Sequence, residues 1–237
     1  MTLHNQGFKT LDNDSVPDPN CHNCNSLTYC SIGRKSRAEN CPMKVSKEVI
    51  NEAKNQYLEC EGVRQSIQQA NIVEAMGSMR WPRLKDTIEY AKAMEYKKLG
   101  LAFCVGLRRE AKKIGDYLEK YGFKVSSVCC KTGGLKKEDI GLPKDFCSPY
   151  SKTGFMIGWV TCNPVAQALL LNKSKTEMNI ICGLCVGHDI LFTQFSKAPV
   201  TTLIAKDRVT IHNPASVLFS HYGDSFFLED LRKLKLT

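Results

Sequence analysis

The sequence predicts an α/β fold, a mainly parallel, Rossmann-like sheet with flanking helices, preceded by a small cysteine-rich metal-binding segment. Three observations predict it. From Lys98 onward, short apolar runs alternate with amphipathic stretches, the pattern of parallel strands joined by helices. Cys104, Cys130, Cys162 and Cys185 each fall at the end of an apolar run or just after it. Upstream, residues 21–41 carry four more cysteines among small and polar residues, with too little apolar content for a core of their own.

Residues 1–20 read as a polar tail, containing Asn13, Asp14, Ser15, Pro17 and Pro19 without periodicity. Residues 21–45 form the cysteine-rich segment, which a metal would have to organise. Residues 46–237 are the expected α/β domain, with a helical lead-in over 46–96. There Ser46 is suited to an N-cap, and Val49, Ile50, Ala53 and Tyr57 recur at helical spacing. The helix, broken near Gly62, continues toward Met76. Pro82 then opens another helix, with Leu84, Ile88 and Ala91 on one face.

Residues 99–104 read as a buried strand, followed by a helical face of Leu107, Ala111, Ile114, Leu118 and Tyr121 that stops at Gly122. Residues 123–130 are the next strand, which makes a β-α-β unit with a parallel crossover. After a long connection containing Gly133, Gly134 and Pro143 come strands at 155–160, 178–186 and 200–206, the first followed by a helix opened by Pro164. Five strands are expected.

Strand carboxyl ends converge on the crevice where open α/β sheets bind ligands, so Cys104, Cys130, Cys162 and Cys185 are expected around one site. Phe103-Cys104-Val105-Gly106-Leu107 and Leu184-Cys185-Val186-Gly187-His188 are near-repeats that set Cys before a turn glycine and a helix start. A helix N-terminus offers unpaired N–H groups and a positive dipole end to a thiolate, and Gly106 and Gly187 allow close backbone approach to a cofactor. In Cys162-Asn163-Pro164, Asn163 suits the cap and Pro164 the first helical position.

The N-terminal set Cys21, Cys24, Cys30 and Cys41 has the spacing C-x2-C-x5-C-x10-C, with Pro42 after the last. A C-x2-C knuckle signals metal without choosing one. The second C-x2-C pair of a zinc ribbon is missing, and the C-x2-C-x5-C opening and Cys-Pro ending resemble iron–sulfur ligand sets, so iron–sulfur is preferred and zinc is the alternative. His22 lies inside the knuckle, but Cys21-His22-Asn23-Cys24 is not the haem-attachment order.

Composition agrees with a thiolate protein. With 237 residues and 43% hydrophobic content the chain can build a sizeable core. There is no apolar run of about 18 residues and no signal-like start, so a cytoplasmic protein without a membrane partner is expected, where twelve cysteines argue for metal instead of disulfides. The formal charge is +9, which two four-thiolate sites of about −2 each would lower to about +5. Basicity therefore does not argue for a nucleic-acid partner.

The segments Ala102-Phe103-Cys104-Val105-Gly106-Leu107, Cys130-Lys131, Cys162-Asn163-Pro164, residues 183–189 and Lys206-Asp207-Arg208 through His212-Asn213-Pro214 resemble one family. It is a domain-of-unknown-function family of cysteine-rich, predicted metal-binding proteins, mostly from anaerobic bacteria and archaea. The resemblance spans residues 21–214 and implies that the eight cysteines above are the ligands. Cys60, Cys129, Cys147 and Cys182 are then extras. An anaerobic source would favour iron–sulfur chemistry over zinc.

The expected function is an iron–sulfur redox protein, with an N-terminal [4Fe-4S] cluster serving a second, reactive cluster of unassigned type at the sheet's carboxyl edge. Whether it is an oxidoreductase enzyme stays open. His188, Asp189 and Lys131 are the supporting catalytic candidates, as donors that tune a cluster or deliver protons. Cys129 should face away from Cys130 in a regular strand, and Cys182 sits within a strand. One alternative is a zinc-binding structural or interaction protein with two four-cysteine sites. Another is a cysteine hydrolase, because Gly183-Leu184-Cys185-Val186-Gly187 fits a nucleophile elbow, with Asp207 and His212 in triad order. The partner would be an electron-transfer protein or a small-molecule substrate, and the poor core of the cysteine-rich segment suggests a homo-oligomer.

Overall fold

The computed structural model describes residues 18–24, 27–35, 38–221, 223 and 227. The expected tail lies almost wholly outside them. The chain divides into two units, one reaching Met76 and the other beginning at Gly77.

The first unit contains a 3-10 turn Cys21–Asn23, short helices α1 (Leu27–Ser31) and α2 (Pro42–Val45), and the longer α3 (Lys47–Glu59) and α4 (Glu61–Gly77). Pro42 occupies the first turn of α2, where a missing N–H costs nothing. The break between the long helices falls at Cys60, which is extended (φ −97°, ψ 106°), and Gly62 lies inside α4. Cys41 and Val73 are the buried apolar side chains of this unit among the described residues.

The second unit holds the sheet. Its order is α5 (Arg83–Ala93), β1 (Lys98–Phe103), α6 (Arg108–Lys120), β2 (Lys124–Cys129), α7 (Pro164–Lys173), β3 (Met178–Cys182), α8 (His188–Phe195) and β4 (Val200–Ile204). The four strands are all parallel, in the order β2-β1-β3-β4. Leu99, Leu101 and Ala102 of β1 and Ile180 and Ile181 of β3 form the centre, covered by Ile114 and Leu118 of α6, Leu171 of α7 and Phe192 of α8. Each such side chain stabilises the fold by about 1.5–3 kcal/mol on burial. α6 meets the sheet through Ala111, Ile114 and Leu118, as the sequence spacing requires, and leaves its charges to solvent.

The register fixes where the chain leaves the sheet. Phe103 is level with Cys129 on one side and Cys182 on the other, so β1, β2 and β3 end together. The residues that follow emerge at one edge.

The structure forms four strands among the described residues, not five. Residues 155–160 make isolated antiparallel bridges, Tyr150 with Met156 and Lys136 with Val160, inside the long connection from β2 to α7. Gly154 (φ 83°) and Gly158 (φ 102°) break the extended run, and Phe155 and Trp159 are largely exposed. The apolar pattern there belongs to a loop surface. β3 likewise stops at Cys182, because Gly183 turns the chain at φ 69°.

Candidate functional site

Backbone bonds deliver four cysteines to the carboxyl edge. Cys104 follows β1 directly, and its N–H donates to Cys182 O (3.1 Å). Cys130 follows β2, with its N–H on Phe103 O (2.9 Å). Cys162 comes from the long connection: Asn163 N–H donates to Cys130 O (2.8 Å), Asn163 Nδ2 to Gly133 O (2.8 Å), and Asn163 Oδ1 caps α7 by accepting from Ala166 N–H (2.8 Å). Cys162 therefore reaches the edge through its cap residue, not as a strand end. Cys185 lies beyond β3, and its carbonyl accepts the first N–H groups of α8 from His188 (2.9 Å) and Asp189 (3.1 Å).

The four thiols meet. Cys162 Sγ lies 3.6 Å from Cys130 Sγ, while Cys104 interacts electrostatically with Cys130 and Cys185, and Cys162 with His188. Val105 N–H donates to Cys130 Sγ (3.3 Å). Two cations close on the sulfurs, Lys206 Nζ on Cys104 Sγ (3.3 Å) and Arg208 Nη2 on Cys185 Sγ (3.3 Å).

The contacts sort the thiols by charge. Hydrogen bonds from Cys130 and then Cys185 hold Cys104 far below the usual thiol range, with Lys206 adding to the effect. The bond from Cys130, then His188 and Lys131, hold Cys162 down to about 4. Cys130 is pushed up because its proton is shared with Cys104 and Cys162, and Cys185 because it donates to Cys104 and is partly buried. Its contact with the Cys162 thiolate raises His188. The interactions run in the order Cys185–Cys104–Cys130–Cys162 and favour the charged form at Cys104 and Cys162 over Cys130 and Cys185.

The donor set can be compared with a metal. Two sulfurs on a tetrahedral ion at about 2.3 Å stand about 3.8 Å apart, close to the Cys130–Cys162 separation of 3.6 Å. Four thiols with N–H and cationic donors on their sulfurs are the chemistry of a thiolate metal group. Among the described residues, however, no group of three or more His, Cys, Asp or Glu side chains is drawn together as a metal-holding set. Binding would require the four sulfurs to close round a centre.

The other expected site residues separate. Lys131 Nζ donates to Val160 O (2.6 Å), pinning the loop that carries Cys162. Asp189 Oδ1 accepts the N–H of Ile190 (2.8 Å) and serves its own helix turn. Gly106 lies beside the site, where a Cβ would make ordinary contact with Lys206 Nζ (3.4 Å) and Cys104 Sγ (3.8 Å). Gly187 is required for conformation, at φ 85° before α8. In the N-terminal set, Cys21 and Cys30 are exposed, Cys24 is half-buried and Cys41 is buried. The structure does not gather these four into a group among the described residues. Cys182 is enclosed in β3, where burial pushes its thiol up to about 12. Asp207 and His212 close a turn: His212 Nδ1 accepts Asp207 N–H (3.0 Å), and the Asp207 carboxylate takes the N–H groups of Val209 and Thr210. Cys185 is contacted by Cys104 and Arg208 and not by that imidazole.

Sequence reasoning did not assign Lys206, Arg208 or Gln167 to the site. Gln167 is fully buried and its Nε2 donates to Val128 O (2.7 Å) and Phe103 O (3.3 Å), tying together the ends of β1 and β2 just before Cys104 and Cys130. Lys206 and Arg208 read as solvated charges in the sequence, and only the placement of β4 in the parallel sheet brings them to this edge.

A family profile described as "Protein of unknown function (DUF1847)" matches residues 41–203. The uncharacterized protein MJ0455 of Methanocaldococcus jannaschii is 41% identical over 202 residues, covering 85% of this chain and 94% of that protein.

Proposed function

Because the chain belongs to the DUF1847 family, described as of unknown function, we propose a function from its own thiol site: an iron–sulfur redox protein. Cys104, Cys130, Cys162 and Cys185 hold a cluster at the carboxyl edge, and Cys21, Cys24, Cys30 and Cys41 hold a [4Fe-4S] cluster that serves it. The observation that carries the reading is the contact of four thiols from four chain segments, with Lys206 and Arg208 on two of the sulfurs. For the N-terminal set, the support is the ligand spacing alone.

An iron–sulfur cluster supplies single-electron transfer. Around it this chain's residues do three things. Lys206, Arg208 and the Val105 N–H offset sulfur charge, which favours the reduced state and raises the potential. His188 holds a proton against the Cys162 sulfur and can pass it to a reduced substrate. Lys131 and Gln167 fix the loop and strand ends that carry the ligands. The electrons come from a protein partner or go to a small-molecule substrate in the cytoplasm. Among the described residues no helix is long and apolar enough to cross a membrane.

One observation favours a second reading: 3.6 Å between Cys130 and Cys162 sulfurs matches a single tetrahedral zinc ion. The two separate on anaerobic purification followed by a visible spectrum and assays of iron, zinc and acid-labile sulfide. Iron with sulfide and a brown chromophore is expected. A colourless protein with zinc alone overturns the redox reading. Replacing Cys185 with Ala should remove the edge cluster and spare the N-terminal one.

A further inference from the structure

We propose that Cys130 and Cys162 are also a site of two-electron oxidation, a vicinal dithiol that closes to a reversible disulfide and thereby dismantles the ligand set. The inference deepens the reading above, since it concerns the regulation of the same site, but the bond itself needs no metal.

The geometry that points to this pair is local. Its sulfurs are 3.6 Å apart, so a disulfide of about 2.05 Å requires them to close by about 1.5 Å, shared between the two side chains. Protein bonds alone keep the two backbones together. Cys130 N–H is on Phe103 O, Asn163 N–H on Cys130 O, Thr161 N–H on Leu135 O (2.9 Å), and Asn163 Nδ2 on Gly133 O. The pair therefore persists when the site is empty, and its effective concentration is that of an intramolecular reaction. Cys104 and Cys185 are tied instead to residues beyond β4, through Lys206 Nζ and Arg208 Nη2 at 3.3 Å each.

Access sets the order of events. Cys130 is 2% exposed whereas Cys162 is half-buried, so an oxidant meets Cys162 first. With hydrogen peroxide, Cys162 becomes a sulfenic acid and one water leaves. Cys130 then attacks that sulfur, the S–S bond forms, and the second water leaves. Two thiols lose two electrons and two protons, and one peroxide becomes two waters. The product keeps Cys104 and Cys185 but removes two of the four donors, so metal bound at this edge is released.

The test uses the full chain carrying Cys129→Ser, purified without oxygen, with metal and sulfide measured before one molar equivalent of peroxide is added. A mass loss of about 2 Da is expected. Peptide mapping should join Cys130 to Cys162, dithiothreitol should reverse the link, and any metal should leave in step with it. Adding Cys162→Ser should abolish the link, with far-UV circular dichroism confirming the fold. Linkage of Cys104 to Cys185 or to Cys130, or sulfinic acid at Cys162 without a link, overturns the proposal. A metal-free protein that still links Cys130 to Cys162 supports the dithiol and overturns the iron–sulfur reading. A cluster-bearing protein that never links them overturns the dithiol alone.

Discussion

Lys206 Nζ donates to Cys104 Sγ across 3.3 Å although the two residues are 102 positions apart. β3 stands between their strands, and the contact forms above it because all strands of the sheet run the same way and empty at one edge. The cation lowers the cost of negative charge on sulfur, so Lys206→Met should weaken metal binding at this site about 10-fold or more, while Lys206→Arg should restore most of it. Competition against a chromophoric chelator measures this. Equal affinity in the Met variant would remove Lys206 from the site.

Gly183 and Gly187 both have positive φ, 69° and 85°, but only Gly183 is also crowded. A Cβ on Gly183 would meet Leu107 Cδ2 at 2.7 Å, while a Cβ on Gly187 meets nothing within 4 Å. Gly187→Ala should therefore cost about 1–2 kcal/mol, the backbone strain alone. Gly183→Ala adds displacement of a buried leucine beneath Cys104 and should cost at least about 2 kcal/mol more than that. Urea midpoints rank the two, and equal midpoints would refute the packing argument.

Much of this edge was legible in the sequence. Apolar runs ending in Cys104 and Cys130 mark real strand ends, and Pro164 and Gly187 mark real helix starts. The α/β class follows from the same alternation. Residues 155–160 misled because a short apolar run has no period to distinguish a buried strand from an exposed loop, and Gly154 and Gly158 decide the matter through dihedrals that the sequence permits but does not require. Lys206 and Arg208 were hidden for another reason. A lysine and an arginine after an apolar run look like solvated charges until the register shows which thiols face them.

Gly100 and Asn179 are packed as a pair in the centre of the sheet. Asn179 Oδ1 accepts from Thr176 Oγ1 (2.8 Å) and Nδ2 donates to Ser196 Oγ (2.8 Å), and a Cβ on Gly100 would lie 1.9 Å from that Oδ1. Gly100→Ala should destabilise by about 3 kcal/mol or more, and Asn179→Ala by about 1–3 kcal/mol through the loss of its two buried hydrogen bonds. The double variant should cost clearly less than the sum, since removing the amide makes room for the methyl. Additive losses in denaturant titrations would show that the clash is relieved elsewhere.

Glu89 lies between Lys85 and Lys92 on α5, and the hydrogen bond from Lys85 holds its carboxyl below the ordinary value of 4.5. A depressed folded pKa gives stability that is full above the unfolded value and is lost as pH falls through the folded one. The contribution is therefore present at pH 7 and disappears below the ordinary carboxylate range. Glu89→Gln should lower stability at neutral pH by less than about 1 kcal/mol and leave it unchanged in strong acid. Urea midpoints across pH test the sign, and a variant equally destabilised at both ends would mean that packing, not charge, is lost.

Cys129 and Cys130 are neighbours with different surroundings, which makes them a control for the whole site. Cys130 is buried against Cys104 and Cys162, while Cys129 lines a surface groove with Ser127, Thr132, Leu170 and Lys173. Strand alternation sends adjacent side chains to opposite faces, so both residues cannot serve one centre. Cys129→Ser should retain the metal content of the unmodified chain, whereas Cys130→Ser should lose the edge site's share, because a hydroxyl is a poor substitute for a sulfur that ligates metal as its thiolate. Metal analysis of the two variants, each checked for native circular dichroism, decides it. If Cys129→Ser loses metal and Cys130→Ser keeps it, the four-thiol line running from Cys185 to Cys162 is not the ligand set.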